Sequence, residues 1–241
     1  MAHKTGKQVQ ICTRNGTPRW NDLWQGIDWI ATPYTRGDYA QIRNAPGCRP
    51  YIVYPWSGGA HAYTNFRVCE NIGAIQFTES EFTWAMNAAH SLGEFIIVEP
   101  TIAKQSNKNK QWGWEKWQTL VKLMPDLRWI QIGPKGTRLL QGVQFVQTGT
   151  FRLGAALLAR SKLAVLPEGG LHHAAGVMGK KAIVLFGGTT SVYCLAYPHH
   201  IAIADTGPAS PCGNWRPCKH CQEAWAKITP EMVKEQVEKC L

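Results

Sequence analysis

Leu163-Ala164-Val165-Leu166-Pro167-Glu168-Gly169-Gly170-Leu171-His172-His173-Ala174-Ala175-Gly176-Val177-Met178-Gly179, followed by Lys180-Lys181 and Ala182-Ile183-Val184-Leu185-Phe186-Gly187-Gly188, holds a complete unit of strand, turn, helix and strand. The apolar run 163–166 is too short for a buried helix and suits a strand covered on both faces. A glycine turn follows, then a helix over 171–178 with Gly179 as its C-cap, then a second strand over 182–186. Strand, glycine turn and helix together make a phosphate site, because glycine lets the backbone come close and the helix N-terminus offers free N–H groups with about half a positive charge. The same groups would stabilise a departing nucleoside diphosphate. Every parallel α/β protein needs strand-to-helix turns, so the glycine pair does not specify a ligand by itself. His172 and His173 sharpen the reading, since they stand in the first helical turn at the carboxyl end of the sheet, where ligands of such folds bind. Of the two, His173 is the stronger ligand candidate.

Outward from this unit, strand-like runs recur at 9–12, 29–31, 51–54, 95–98, 129–132 and 201–204. Helix-like runs lie at 114–124, where Trp117, Leu120, Val121 and Met124 share one face, and at the Ala/Leu-rich 153–160. Alternation of this kind predicts parallel sheets covered by helices. The regular part, 93–204, reads as one Rossmann-like unit within a C-terminal domain, 93–241. Residues 1–92 read as a shorter N-terminal α/β unit with weaker periodicity. A last helix over 230–240 starts with Thr229 as N-cap and Pro230 at the first helical position.

The 241 residues are 44% hydrophobic and 17% charged, the balance of a chain that folds around a core. No apolar run is long enough to span a membrane, and the polar start 1–7 lacks the core of a signal peptide, so a cytoplasmic location is expected. The net charge of +10 favours acidic partners: a sugar nucleotide, an anionic membrane surface contacted peripherally, or nucleic acid. The basic residues are dispersed, densest from Lys104 to Lys110, so charge alone does not choose among these.

The eight cysteines are expected to be mostly reduced thiols. Cys212, Cys218 and Cys221 follow a C-x5-C-x2-C spacing with His220 inside it. A zinc ribbon would offer two C-x2-C pairs. Ordinary thiols are therefore favoured over a structural zinc on these three residues completed by His199, His200 or Cys240.

The glycine-turn stretch resembles glycosyltransferase family 9, the ADP-heptose:lipopolysaccharide heptosyltransferases. The family has D-T-G-P-M-H-L-A-A-A-L-G-x-P before a strand ending L-F-G. Glu168 stands at its Asp, Gly170 at its Gly and His173 at its His, and Val184-Leu185-Phe186-Gly187 matches the strand. Upstream, 157–163 is similar to the family's I-A-x-A-D-L. A second match is the family's His-Pro, polar loop and K-x-W-P, where this chain has Glu99-Pro100, a loop with Lys104 and Lys108, and Lys110-Gln111-Trp112-Gly113. The tail from Ser210-Pro211-Cys212 to Ile228-Thr229-Pro230 is also similar, so the likeness runs from about Tyr63 to the end.

The resemblance implies a GT-B-like α/β fold of two Rossmann-like units, the N-terminal one abbreviated and facing the acceptor. It implies transfer of a sugar, heptose first, from a nucleoside-diphosphate sugar to an acceptor hydroxyl, inverting and without a catalytic metal. Lys110, Gly133, Glu168, Gly169, Gly170, His172, His173 and Gly187 would bind the donor. The family's first strand is followed by Gly-Asp, whose Asp is the base. Here Thr13-Arg14-Asn15-Gly16 follows, so Asp22, then Asp38 in Gly37-Asp38, then Glu168 are the candidate catalytic carboxylates. The acceptor would be anionic, a glycolipid or polysaccharide. Two alternatives stay open: a transferase acting on modified nucleic acid, and a module that binds the nucleotide sugar without catalysis.

Overall fold

The computed structural model describes residues 7–13, 15–34, 39–43, 75–101, 108–205, 210–214 and 216–241. Asp38, Lys104 and the expected strand 51–54 lie outside the described residues.

The frame is a six-stranded, wholly parallel sheet. Its strands are β3 (Ile96–Val98), β4 (Trp129–Gly133), β5 (Gln144–Gln147), β6 (Leu163–Pro167), β7 (Ala182–Phe186) and β8 (Ile201–Ala204), while β1 (Gln8–Cys12) and β2 (Tyr39–Arg43) belong to a separate N-terminal pair. The order across the sheet is β5-β4-β3-β6-β7-β8. Every residue of β6 and of β7 is buried, as the unbroken apolar runs require of central strands covered on both sides. Alternate side chains feed two cores. Ile96, Val98, Leu163, Val165, Ile183 and Leu185 pack on one side, with Trp117, Leu120 and Val121 of α2 (Trp114–Lys122) and Val233 and Val237 of α7 (Pro230–Glu238). Ile97, Ala164, Leu166, Val184 and Phe186 pack on the other, with Leu92 of α1 (Glu79–Leu92), Leu157 and Leu158 of α3 (Phe151–Leu158), and Ala174 and Ala175 of α4 (Gly170–Val177). The result is three layers, helices on both faces of one sheet.

The helices begin where their sequences put caps. Thr78 and Glu81 form a reciprocal capping box on α1, Thr150 caps α3, and Thr229 caps α7 with Pro230 in its first turn. Two further helices, α5 (Val192–Leu195) and α6 (Lys219–Lys227), complete the unit.

Ahead of it, β1 (Gln8–Cys12) pairs in parallel with β2 (Tyr39–Arg43). The strand expected at 29–31 is reduced to a single bridge between Val9 and Ile30, because the positive-φ turn at Gly26 and the proline at Pro33 leave too few extended residues between them. Arg152, at the start of α3 and only 4% exposed, joins this segment to the main unit. Its guanidinium pairs with both carboxylate oxygens of Glu81 at 2.7 Å and donates to the carbonyls of Asp22 at 3.0 Å and Gln76 at 2.5 Å. The Arg152 guanidinium holds the Glu81 carboxyl down at about 2.

Candidate functional site

Two connections of the chain lead away from adjacent strands in opposite directions at the centre of the sheet. From β3 the chain goes to β4 on one side, and from β6 to β7 on the other. The carboxyl ends of β3 and β6 therefore flank the crevice where doubly wound folds take their ligands. A cavity of about 300 Å³ opens there, lined by Glu99 after β3, Glu168 to Gly170 after β6, Lys110 and Phe151.

Glu168 is 4% exposed, and its backbone N–H is fixed to the Leu185 carbonyl at 3.0 Å. Its carboxylate forms an ion pair with Lys110, which ends the 3-10 turn Lys108–Lys110, and lies 3.7 Å from His173 Nε2. Burial pushes the Glu168 carboxyl up, but His173 and Lys110 beside it outweigh burial and hold it at about 2. The other ring nitrogen of His173, Nδ1, is 3.2 Å from the Tyr197 hydroxyl, so the imidazole is held at both ends. Gly169 is the N-cap of α4 and supplies no side-chain cap. The first N–H groups of the helix have no partner inside it by helix geometry, and they point to the same end as Lys110.

Glu99 was missed as a site residue, although its place at the end of an apolar strand was visible. It accepts from the backbone N–H of Thr101 at 2.9 Å and from the Thr101 hydroxyl, and burial pushes its carboxyl up to about 7 against those two bonds. One cavity thus holds a carboxylate fixed in its charged form and a carboxyl that is neutral below about pH 7.

Of the donor-binding residues expected from the sequence, Lys110, Glu168, Gly169 and Gly170 line this cavity and His173 adjoins it. His172 does not line it. Its ring is fully buried against Phe186, Tyr197 and His200, at centroid distances of 5.6, 5.4 and 5.3 Å, and burial keeps it neutral by lowering its pKa to about 3. Gly133 ends β4 and Gly187 follows β7, and packing requires a glycine at both: a Cβ would stand 2.5 Å from the Thr137 hydroxyl at the first and 2.5 Å from the Trp225 indole at the second. Asp22 is exposed and heads the 3-10 turn Asp22–Trp24, and its backbone carbonyl is held by Arg152, the chain neighbour of Phe151 in the cavity wall.

Among the described residues, two groups have the donor types and proximity to hold a metal ion. One is Glu168, His172 and His173, where the Lys110 ammonium already takes the carboxylate. The other is Cys212, Cys218, His220 and Cys221. His199, His200 and Cys240 are not in it; His200 instead meets the Lys180 carbonyl at 3.1 Å. No helix among the described residues is long and apolar enough to cross a membrane.

No protein-family model matches the chain, and no curated protein matches it. Its fold is similar to that of the ADP-heptose lps heptosyltransferase II of E. coli, with a TM-score of 0.51 and 19% identity over 69% of this chain and 52% of that one. It is similar to the same degree to a glycosyl transferase family 9 protein of Veillonella parvula DSM 2008, with a TM-score of 0.51 and 17% identity over 69% of this chain and 52% of that one. The chain spans about half the length of these two proteins. At this level of identity the likeness is one of fold, the α/β, GT-B-like architecture expected from the sequence.

Proposed function

We propose that the chain binds a nucleoside-diphosphate sugar at the carboxyl ends of β3 and β6 and transfers the sugar to an acceptor hydroxyl with inversion. The observation that carries this reading is the Lys110–Glu168 ion pair set against the glycine start of α4 at the switch point of the sheet. Lys110 and the first-turn N–H groups of α4 compensate the diphosphate as the glycosidic C–O bond breaks, so charge is stabilised where it develops. Glu168, fixed as an anion, accepts hydroxyl protons of the sugar in hydrogen bonds. Its low proton affinity makes it a poor base, and the family resemblance gives that task to a carboxylate of the N-terminal unit. Asp22 is the first choice, because Arg152 ties its turn beside the cavity wall, and Asp38 the second.

The fold neighbours give heptose and an adenosine diphosphate donor the first place among substrates, and the +10 charge suits an anionic glycolipid or polysaccharide acceptor, reached in the cytoplasm or at a membrane surface. A nucleic-acid acceptor has one observation in its favour: Trp20, Trp29 and Tyr34 of the N-terminal unit are exposed at 37%, 38% and 90%, surfaces on which bases stack. Thermal-shift screening against ADP-, UDP-, GDP- and dTDP-sugars tests the donor site. Release of sugar from the stabilising donor separates an enzyme from a binding module, and salt-sensitive DNA binding separates the acceptors. A chain stabilised by none of these donors would sink the reading.

A further inference from the structure

Three thiols and an imidazole gather beside the end of β7 and take no part in the chemistry above. We propose that Cys212, Cys218, Cys221 and His220 hold one thiophilic transition-metal ion, zinc or iron, and that this ion braces the turn carrying Lys110. The second half of the proposal rests on the donor site described under Proposed function.

The geometry is that of a ligand shell. Cys212 Sγ lies 3.4 Å from Cys221 Sγ and 3.9 Å from Cys218 Sγ, and His220 Nδ1 is 4.0 Å from Cys221 Sγ. With metal–sulfur bonds of about 2.3 Å, tetrahedral thiolates stand about 3.8 Å apart, so the spacing needs little adjustment to accept an ion. His220 Nε2 meets the Ser210 hydroxyl at 3.2 Å, which orients the ring and leaves Nδ1 for the metal, the usual arrangement of a ligating histidine. The site is also built into the fold. Gly188 has no Cβ where one would stand 2.3 Å from the His220 ring, and the Cys212 N–H donates to the Gly188 carbonyl at 2.9 Å. A single C-x2-C pair therefore suffices, because the fold brings Cys212 and His220 to it.

The link to the cavity runs through Asn109, 4% exposed and next to Lys110 in the chain. Its side-chain amide donates to the carbonyls of Asn214 at 2.9 Å and Arg216 at 2.6 Å, both between the first two cysteines, and its side-chain oxygen accepts from the Cys218 N–H at 3.2 Å. Its own carbonyl accepts from the Trp225 indole at 2.6 Å. The loop closed by the metal is thus the surface on which the Lys108–Lys110 turn rests. Asn109 is a positioning residue, acting on the donor phosphates through Lys110.

Elemental analysis of the purified full-length chain, prepared under reducing conditions, is expected to find about one zinc or iron ion per chain, and the element found separates the two. Replacement by cobalt should give thiolate-to-metal charge-transfer absorption, a readout that needs no variant. Nucleoside diphosphate affinity, measured with ADP, UDP, GDP and dTDP, should fall about tenfold on chelation, and Lys110→Ala protein should lose nothing further. Asn109→Ala should keep its metal and show the same loss, which decides the matter even if the chelated chain unfolds. A chain that neither carries nor takes up metal overturns the site. Metal present with unchanged affinity in Asn109→Ala overturns the bracing. Metal present with no nucleotide bound by the loaded protein rejects the donor site and the bracing together, while the metal site stands.

Discussion

Lys110 and Glu168 come from separate parts of the chain and meet in a cavity where each makes the other affordable: the lysine keeps a buried carboxylate ionised, and the carboxylate aims the ammonium at the crevice. If Lys110 contacts the donor phosphates, Lys110→Ala removes a charged hydrogen bond of about 1.5–3 kcal/mol, a weakening of about ten- to hundredfold for nucleoside diphosphate. The uncharged nucleoside should bind equally well to both proteins; equal losses for the two ligands in a calorimetric comparison would return Lys110 to the solvated loop. Glu99 gives a dependence on pH. Its folded pKa is raised to about 7, so the carboxyl is neutral below that value and gains a charge as pH rises through it. A second anion in the cavity repels diphosphate, and affinity should therefore fall between roughly pH 6 and pH 8, the titration range about that value. Glu99→Gln should flatten the curve; a slope that survives the substitution would assign the titration elsewhere. This residue shows a limit of sequence reading, since Glu99 was visible at the end of a strand, whereas its proton affinity depends on how deeply the cavity buries it.

At the scale of elements, the strands with unbroken apolar runs and the last helix, capped by Thr229, were legible, because each carries its reason locally. The elements that were missed have a weaker apolar pattern, and in α1 the cap at Thr78 stands before residues whose period does not support it. In β5 the sequence Gln144-Phe145-Val146-Gln147 is half-exposed at the sheet edge, and in α1 the apolar residues Phe82 and Met86 lie on the outward face, blurring the helical period. What fixes α1 is Arg152, through its bidentate bond to Glu81. Glu81→Gln leaves a buried guanidinium without its charge partner and should cost about 3 kcal/mol in denaturant unfolding. The folded pKa of Glu81 is depressed from 4.5 to about 2, so its contribution is present above pH 4.5 and is lost as pH falls towards 2. The substituted protein should lack that part of the acid dependence. A cost under about 0.5 kcal/mol, the level of an exposed pair, would contradict the anchoring role.

Across the whole molecule, the six-stranded unit supplies the crevice at the ends of β3 and β6, and the N-terminal segment supplies the exposed Asp22 and the exposed rings of Trp20, Trp29 and Tyr34. The two halves of the proposed reaction can be separated on that division. Asp22→Asn should abolish transfer and leave donor affinity unchanged, because a base acts in the transition state and not in ground-state binding. Full turnover by both Asp22→Asn and Asp38→Asn would remove the base from this segment. The position of the crevice was legible from the glycine turn, but the contents were only partly so: His172 and His173 look alike in sequence, and only the packing of Phe186 and Tyr197 turns the first into the interior. The most direct test of the central claim is a calorimetric titration of nucleoside diphosphate into wild-type protein and into Gly169→Asp. Gly169 has extended backbone and a Cβ there meets nothing closer than the Pro167 carbonyl at 3.9 Å, so the new residue fits, and aspartate is a good N-cap for α4. The variant should therefore fold as well as the wild type while placing a negative charge where the diphosphate sits. Saturable binding by the wild type and its loss in folded Gly169→Asp is the predicted result; undiminished affinity in the variant would contradict the account.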